Sequence, residues 1–174
     1  MSYLVDTHCH LIFKDFREDL ESVINNAFNS RVKAMLVIST QEDEFNPLLA
    51  LTQKYSNIFC SIGIHPHSAH LHSELSEEKL IKFVDNERVI GIGETGLDFY
   101  YENSEKNTQI QLFKRHINVS RETQLPIIIH TRDADETTID ILTEESMRGK
   151  FPGVIHCFTA GPELAKAALD LGFY

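Results

Sequence analysis

Short β-branched runs alternate with longer stretches in which apolar residues recur at helical spacing, and this alternation organises the chain from end to end. The apolar runs are Tyr3–Thr7, Ala34–Ser39, Ile58–Ile64, Val89–Gly93, Pro126–Ile129 and Gly153–Ile155. Helix-like segments follow them over Phe16–Ser30, Glu42–Tyr55, Glu77–Asn86, Glu105–Thr123, Asp135–Met147 and Glu163–Leu171. In the first of these, Leu20, Val23, Ile24, Ala27 and Phe28 fall on one face of a 3.6-residue period. Ser76, ahead of Glu77 and Glu78, is placed to cap the third. Pro126 stands at a strand start, where its missing N–H costs least.

Six β-then-α units in succession predict a parallel sheet with helical crossovers. No linker, low-complexity tract or solenoid-length repeat interrupts residues 1–174, so one domain is the expected parse. A doubly wound sheet and an eight-stranded barrel both fit the alternation. A dinucleotide fold wants a glycine-rich turn after its first strand, and here that turn reads His8-Cys9-His10-Leu11. Gly91, Gly93 and Gly96 match the G-x-G-x-x-G spacing, but inside and just past the fourth strand, with Glu94 where a pyrophosphate would approach.

The strand ends favour the barrel. The first strand runs into His8-x-His10, the third into His65-Pro66, the fourth into Glu94, the fifth into His130 and the sixth into His156. Catalytic groups of a barrel gather on that carboxyl-end face. Residues i and i+2 of a strand share a face, so His8 and His10 can hold one cation together. By the same parity, Ile90 and Ile92 lie beneath Glu94, Ile128 beneath His130 and Val154 beneath His156. Four imidazoles and one carboxylate brought together this way would be buried without partners unless they bind something, which points to metal. Nitrogen and oxygen donors suit zinc, manganese, iron or nickel alike. A carboxylate can bridge two ions, and two cations about 3.5–4 Å apart would clamp a phosphate and hold a bridging hydroxide.

Charge narrows the function classes. The chain has 16 basic and 26 acidic residues and a formal charge of −10. Proteins that hold nucleic acid by charge alone are usually basic, so a DNA coat or scaffold is disfavoured. A nuclease is not, because bound cations can supply the positive field. No stretch reaches the roughly 18 apolar residues of a membrane span. The start, MSYLVDTHCH, lacks the basic-then-apolar order of a signal peptide, so a cytoplasmic location is the default expectation. Cys9, Cys60 and Cys157 are odd in number and widely spaced, which is no disulfide framework and suits a reducing compartment. Cys9 and Cys157 sit beside histidines and, by strand alternation, are expected to point away from them as packing residues.

The ordered motifs Asp6-Thr7-His8-Cys9-His10-Leu11, Gly63-Ile64-His65-Pro66, Gly93-Glu94-Thr95-Gly96-Leu97-Asp98, Pro126-Ile127-Ile128-Ile129-His130-Thr131-Arg132 and His156-Cys157-Phe158 cover nearly the whole chain. Together they resemble the TatD family of metal-dependent deoxyribonucleases, amidohydrolase-like TIM (β/α) barrels. The resemblance implies an α/β barrel and two divalent metal ions, with zinc, manganese, magnesium, iron and nickel undistinguished. It implies His8 and His10 on the first metal, Glu94 as bridge and catalytic carboxylate, and His130 with His156 on the second. His65 would be catalytic, touching substrate or the attacking water, and Arg132 would bind a substrate phosphate. The implied reaction is cleavage of DNA phosphodiesters from strand ends, in the sense of an exonuclease, by a metal-bound hydroxide. DNA is then the partner, with no membrane and no obligate protein partner.

Asp6 shares the histidines' parity and is read as supporting them, and Asp98 as shaping its loop. His67, His70 and His72 are expected in solvent, with the substrate groove the alternative. Phe99-Tyr100-Tyr101 would stack on a nucleobase or pack under the loop.

A complete barrel of this kind takes about 250 residues and eight strands, whereas Gly172-Phe173-Tyr174 reads as the start of strand seven. The family's further Asp, at the end of strand eight, has no counterpart here. The expectation is therefore a part of a longer enzyme: about six βα units, an open barrel with an unpaired strand edge, and a first metal left with His8, His10 and Glu94. Two other functions compete. One is a small-molecule amidohydrolase or phosphotriesterase-like enzyme, many of which bridge their metals with a strand-four lysine that Val89–Glu94 lacks. The other is a truncated, inactive metal-binding chain.

Overall fold

The computed structural model describes residues 3–101 and 103–174. Met1 and Ser2, the first residues read for a leader, lie outside them. Six parallel strands form one sheet in sequential order: β1 (Leu4–Cys9), β2 (Val32–Ile38), β3 (Ile58–Ile62), β4 (Val89–Asp98), β5 (Ile127–Arg132) and β6 (Gly153–Ile155). The crossovers carry α1 (Leu20–Asn29), α2 (Phe45–Lys54), α3 (Glu77–Val84), α4 (Lys106–Thr123) and α5 (Asp135–Arg148), and α6 (Pro162–Leu171) follows β6. The sheet curls into part of a barrel with the helices outside. None of the described helices is long and apolar enough to cross a membrane.

The elements match the hydrophobic pattern, and the differences have local causes. The first helix starts at Leu20 rather than Phe16, because Lys14–Phe16 forms a separate 3-10 turn and Asp19 is non-helical at φ −130°. The second starts at Phe45 after a 3-10 turn over Glu42–Glu44. Pro47 then falls in the first turn of α2, where a missing N–H is harmless. Ser76 Oγ does accept the Lys79 N–H at 3.3 Å, as expected of the α3 cap. Pro162 opens α6 and Gly172, at φ +87°, ends it.

Both faces of the sheet are apolar, as a parallel sheet requires. Val37, Cys60, Ile62, Ile127, Ile129 and Ile155 join the main buried cluster with Leu112, Phe113 and Ile117 of α4. Complete burial of such side chains contributes roughly 1.5–3 kcal/mol each. On the other face, Leu36, Ile90, Ile128 and Val154 line a cleft of about 1180 Å³. Leu4 and Val5 stand exposed along β1, an outer strand of the sheet, with exposed Tyr3 just ahead of it. At the opposite edge Tyr174 already pairs with β6: its N–H donates to Gly153 O at 3.1 Å and its carbonyl accepts Ile155 N–H at 2.9 Å.

Two irregularities overturn the simple alternation rule. On β4, Ile92 pairs with Ile127 and Thr95 with Ile129, so Gly93 and Glu94 together oppose Ile128. Ile92 therefore shares the helix side with Ile127 and does not lie beneath Glu94, whereas Ile90 does face the cleft. A bulge of this kind re-aims one side chain, here the carboxylate. It depends on Gly93 and Gly96, at φ +136° and +135°, where a Cβ would come within 2.6 Å of Ile128 O and 2.1 Å of His130 O. On β1, Asp6 pairs with Met35 and Cys9 with Val37, so Thr7 and His8 share one position. Asp6 thus stands across from the histidines' face rather than on it.

Candidate metal centre

The carboxyl ends of the strands converge on Glu94. Its side chain is 4% exposed, and its backbone N–H donates to Ser39 O at 3.2 Å. The two carboxylate oxygens divide the histidines between them. Oε2 faces His8 Nε2 at 3.2 Å and His10 Nε2 at 3.9 Å. Oε1 faces His156 Nε2 at 2.5 Å, His130 Nδ1 at 3.2 Å and His65 Nε2 at 3.8 Å. Burial by itself would raise the Glu94 pKa, but hydrogen bonds from His130, His156 and His8 outweigh it and hold the carboxyl well below its usual range.

Each imidazole is positioned differently. The His8 backbone N–H donates to Asp6 Oδ1 at 3.1 Å, so Asp6 supports the histidine through the main chain. The His8 ring stacks on His156, with centroids 4.1 Å apart and planes 5° from parallel. His10 is held neutral longer than an ordinary histidine, its pKa lowered by burial. His130 is gripped from both sides, with Nδ1 on Glu94 and Nε2 3.0 Å from Asp98 Oδ2. Burial opposes its charged form, yet the two carboxylates prevail and its pKa is raised. Asp98 is pulled the other way: burial would raise its pKa, but the Tyr101 N–H, His67 and His130 bring it below the usual range.

By distance alone the donors fall into two triplets, His8–Glu94–His156 and His65–Glu94–His130. Chemistry separates His65 from the rest. Its Nδ1 accepts the His67 backbone N–H at 3.1 Å, and burial lowers its pKa to about 3. A neutral imidazole with Nδ1 occupied as acceptor carries its proton on Nε2. His65 therefore presents a hydrogen-bond donor to the cleft, not a lone pair.

The TatD-related DNase family matches residues 5–174 of this chain. The chain belongs to that family. It is 39% identical over 183 aligned residues to a Buchnera aphidicola protein named as an uncharacterized metal-dependent hydrolase, covering 99% of this chain and 68% of the relative. It is 32% identical to the 3'-5' ssDNA/RNA exonuclease TatD of Salmonella typhimurium, over 98% of this chain and 65% of that protein. The crystal structure of the TatD homologue YJJV from Escherichia coli superposes with a TM-score of 0.87 at 27% identity, over 98% of this chain and 66% of the other. The chain thus spans about two thirds of the length of these relatives.

In this TatD-family chain the sequence-expected residues meet, with some corrections. His8, His10, His65, Glu94, His130 and His156 all line the one cleft. His67, expected in solvent, also lines it, and its Nε2 lies 2.9 Å from Asp98 Oδ2. His72 is half-buried near Glu42, and only His70 is exposed, its ring bonded to Ser104 Oγ. Arg132 lies in an adjoining groove with Asp133, Asp135 and Thr159. Its guanidinium sits 4.0 Å from the Tyr100 ring centroid and 4.9 Å from that of Tyr101. Those two tyrosines are exposed, while Phe99 packs on the core.

Cys9 does turn away, with Sγ 3.5 Å from Leu36 O, and burial pushes its thiol up to about 12. Cys157 does not: β6 has ended, φ is +46°, and the exposed thiol borders both the cleft and the groove.

Three buried polar residues that frame the site carried no motif. Ser39 Oγ bonds both the N–H and the carbonyl of Gly63, at 2.8 and 2.9 Å, tying β2 to the turn before His65. Gln109 and His116 sit on the apolar stripe of α4 beside Leu112 and Phe113. Polar residues on a helix's buried stripe were the available signal.

Proposed function

We propose that this chain carries the centre of a nuclease that hydrolyses DNA phosphodiesters with two divalent cations. His8 and His10 with Glu94 would hold one ion, and Glu94 with His130 and His156 the other. The observation that carries this reading is the division of the Glu94 oxygens, Oε2 toward His8 and His10 and Oε1 toward His130 and His156. The donor set fits: it is nitrogen and oxygen only, and an ionised carboxylate can bridge. Among the described residues, no cysteine enters either close triplet. When bound, such a pair supplies Lewis-acid stabilisation of the transferring phosphoryl group and a nucleophile at neutral pH.

The protein's own groups have distinct tasks. Glu94 and the four histidines orient the cations. His65, with its proton on Nε2, donates a hydrogen bond to a substrate oxygen, favouring the charge that builds there. Arg132, braced on Tyr100, meets a neighbouring backbone phosphate from the adjoining groove. A chain of formal charge −10 needs such local positive groups to admit a polyanion. Identity to a relative named a 3'-5' ssDNA/RNA exonuclease supports single-stranded DNA, attacked from its ends, as substrate. The test is nucleotide release from single-stranded DNA, with added divalent metal and with chelator. Metal-dependent release by the wild type, lost in Glu94→Ala and in His130→Ala, is expected. Full release by either variant overturns the mechanism.

A further inference from the structure

Asp98 is fully occupied, and each of its contacts restricts the next. It is 1% exposed. Its backbone N–H donates to Gln109 Oε1 at 2.8 Å, while Gln109 Nε2 donates to the Asp98 carbonyl at 3.0 Å and the Ser104 carbonyl at 2.9 Å. The buried Gln109 side chain thus holds the end of β4 as a neighbouring strand would. Asp98 Oδ1 accepts the N–H groups of Tyr100 and Tyr101 at 3.1 and 3.0 Å. Oδ2 is left for two imidazoles, His130 Nε2 at 3.0 Å and His67 Nε2 at 2.9 Å.

We infer that Asp98 is a positioning residue that selects the His130 tautomer, keeping the proton on Nε2 so that the Nδ1 lone pair is free for the metal. A carboxylate can only accept, so the ring nitrogen facing it must carry hydrogen. The other nitrogen, Nδ1, faces Glu94 Oε1 at 3.2 Å and carries hydrogen as well while no cation is there; a cation held between them would replace that hydrogen, and the one facing Asp98 would stay. Gln109 and the tyrosine N–H groups keep the carboxylate from rotating away. The inference rests on the metal reading above and adds to it a residue outside the donor set.

Asp98→Asn separates this role from a structural one. The amide oxygen keeps the Tyr100 and Tyr101 N–H bonds at the Oδ1 position, which places NH2 where Oδ2 was. Its two hydrogens satisfy His67 and His130, but now as donors. His130 must then accept at Nε2 and carry its proton on Nδ1, the nitrogen needed for metal. The loop keeps every hydrogen bond, so the fold is retained.

The experiment is zinc affinity by chelator competition for wild type, Asp98→Asn, His130→Ala and the double variant, with 15N NMR of the histidine rings. Asp98→Asn should weaken zinc about 10–100-fold, the range for partners of metal-binding histidines. The double variant should bind no more weakly than His130→Ala, because Asp98 acts through His130. The His130 proton should sit on Nε2 in the zinc-loaded wild type. Wild-type zinc affinity in Asp98→Asn, or an Nδ1 proton on His130 in the zinc-loaded wild type, overturns the inference while loss of zinc by His130→Ala leaves the metal reading standing. Undiminished zinc binding by His130→Ala overturns both.

Discussion

One fully buried histidine, set against five half-buried ones, shows what distinguishes a framework from a working centre. His116, on α4, is completely buried, with Nδ1 donating to Leu112 O at 2.8 Å and Nε2 accepting Ile64 N–H at 3.2 Å. Every polar atom of the ring has one fixed partner, and burial drives its pKa down to about 4. The cleft histidines crowd instead around one carboxylate, five ring nitrogens within 3.9 Å of two oxygens. A satisfied polar group in a core specifies structure. A surplus of donors aimed at one acceptor is arranged for something that arrives from outside.

The sharpest way to break this contrast is Glu94→Gln. The neutral amide cannot bridge two cations, and zinc affinity measured by calorimetry should fall more than about 100-fold, beyond the cost of losing a supporting group. Equal affinity would reduce the cleft to a second polar core.

Acid comes next. The folded pKa of His116, about 4, lies below the ordinary 6.5. Between those values the unfolded chain binds more protons, so stability rises with pH. The contribution is complete above pH 6.5 and is lost as pH falls through 4, by about 3 kcal/mol in total. Urea unfolding at pH 7, 5 and 4 should show an acid loss in wild type that is smaller by about that amount in His116→Leu, the remainder coming from His65 and His10, whose pKa values burial also lowers.

At pH 7 the same His116→Leu substitution orphans the Ile64 N–H and should cost about 1–3 kcal/mol. Zinc affinity of the folded protein should not change, which is the opposite pattern to Glu94→Gln. A drop in zinc affinity would mean that the framework and the centre are one unit.

The smallest effect concerns the thiols. Cys157 is exposed, whereas burial pushes Cys9 and Cys60 up to about 12. A disulfide reagent should label one thiol per native chain, Cys157→Ser should remove that reaction, and zinc affinity should hold. Weakened zinc binding in Cys157→Ser would make the thiol a ligand.

Much of this was legible before folding, for physical reasons. Helix and strand periodicities are local, so six βα units could be read from side-chain spacing alone. Barrel chemistry concentrates at strand ends, so His8, His10, Glu94, His130 and His156 stood out by position. Side chains depart from that pattern where the backbone leaves regular geometry. The bulges on β1 and β4 moved Asp6 and Ile92 off the expected face, and the positive φ at Cys157 turned its thiol toward the cleft. For His67 the choice between solvent and groove stays open in the sequence, because nothing local shows that its loop folds back over Asp98.

The chain's own pattern determined the parallel α/β architecture, the set of nitrogen and oxygen donors and their order along the strands. Tertiary structure alone decided which carboxylate oxygen meets which ring, that His65 carries its proton on Nε2, and that Gln109 and His116 hold the ends of β4 and β3. Those are properties of distance and hydrogen-bond direction between residues remote in the chain. Periodicity reports which way a side chain faces; only packing reports what it meets there.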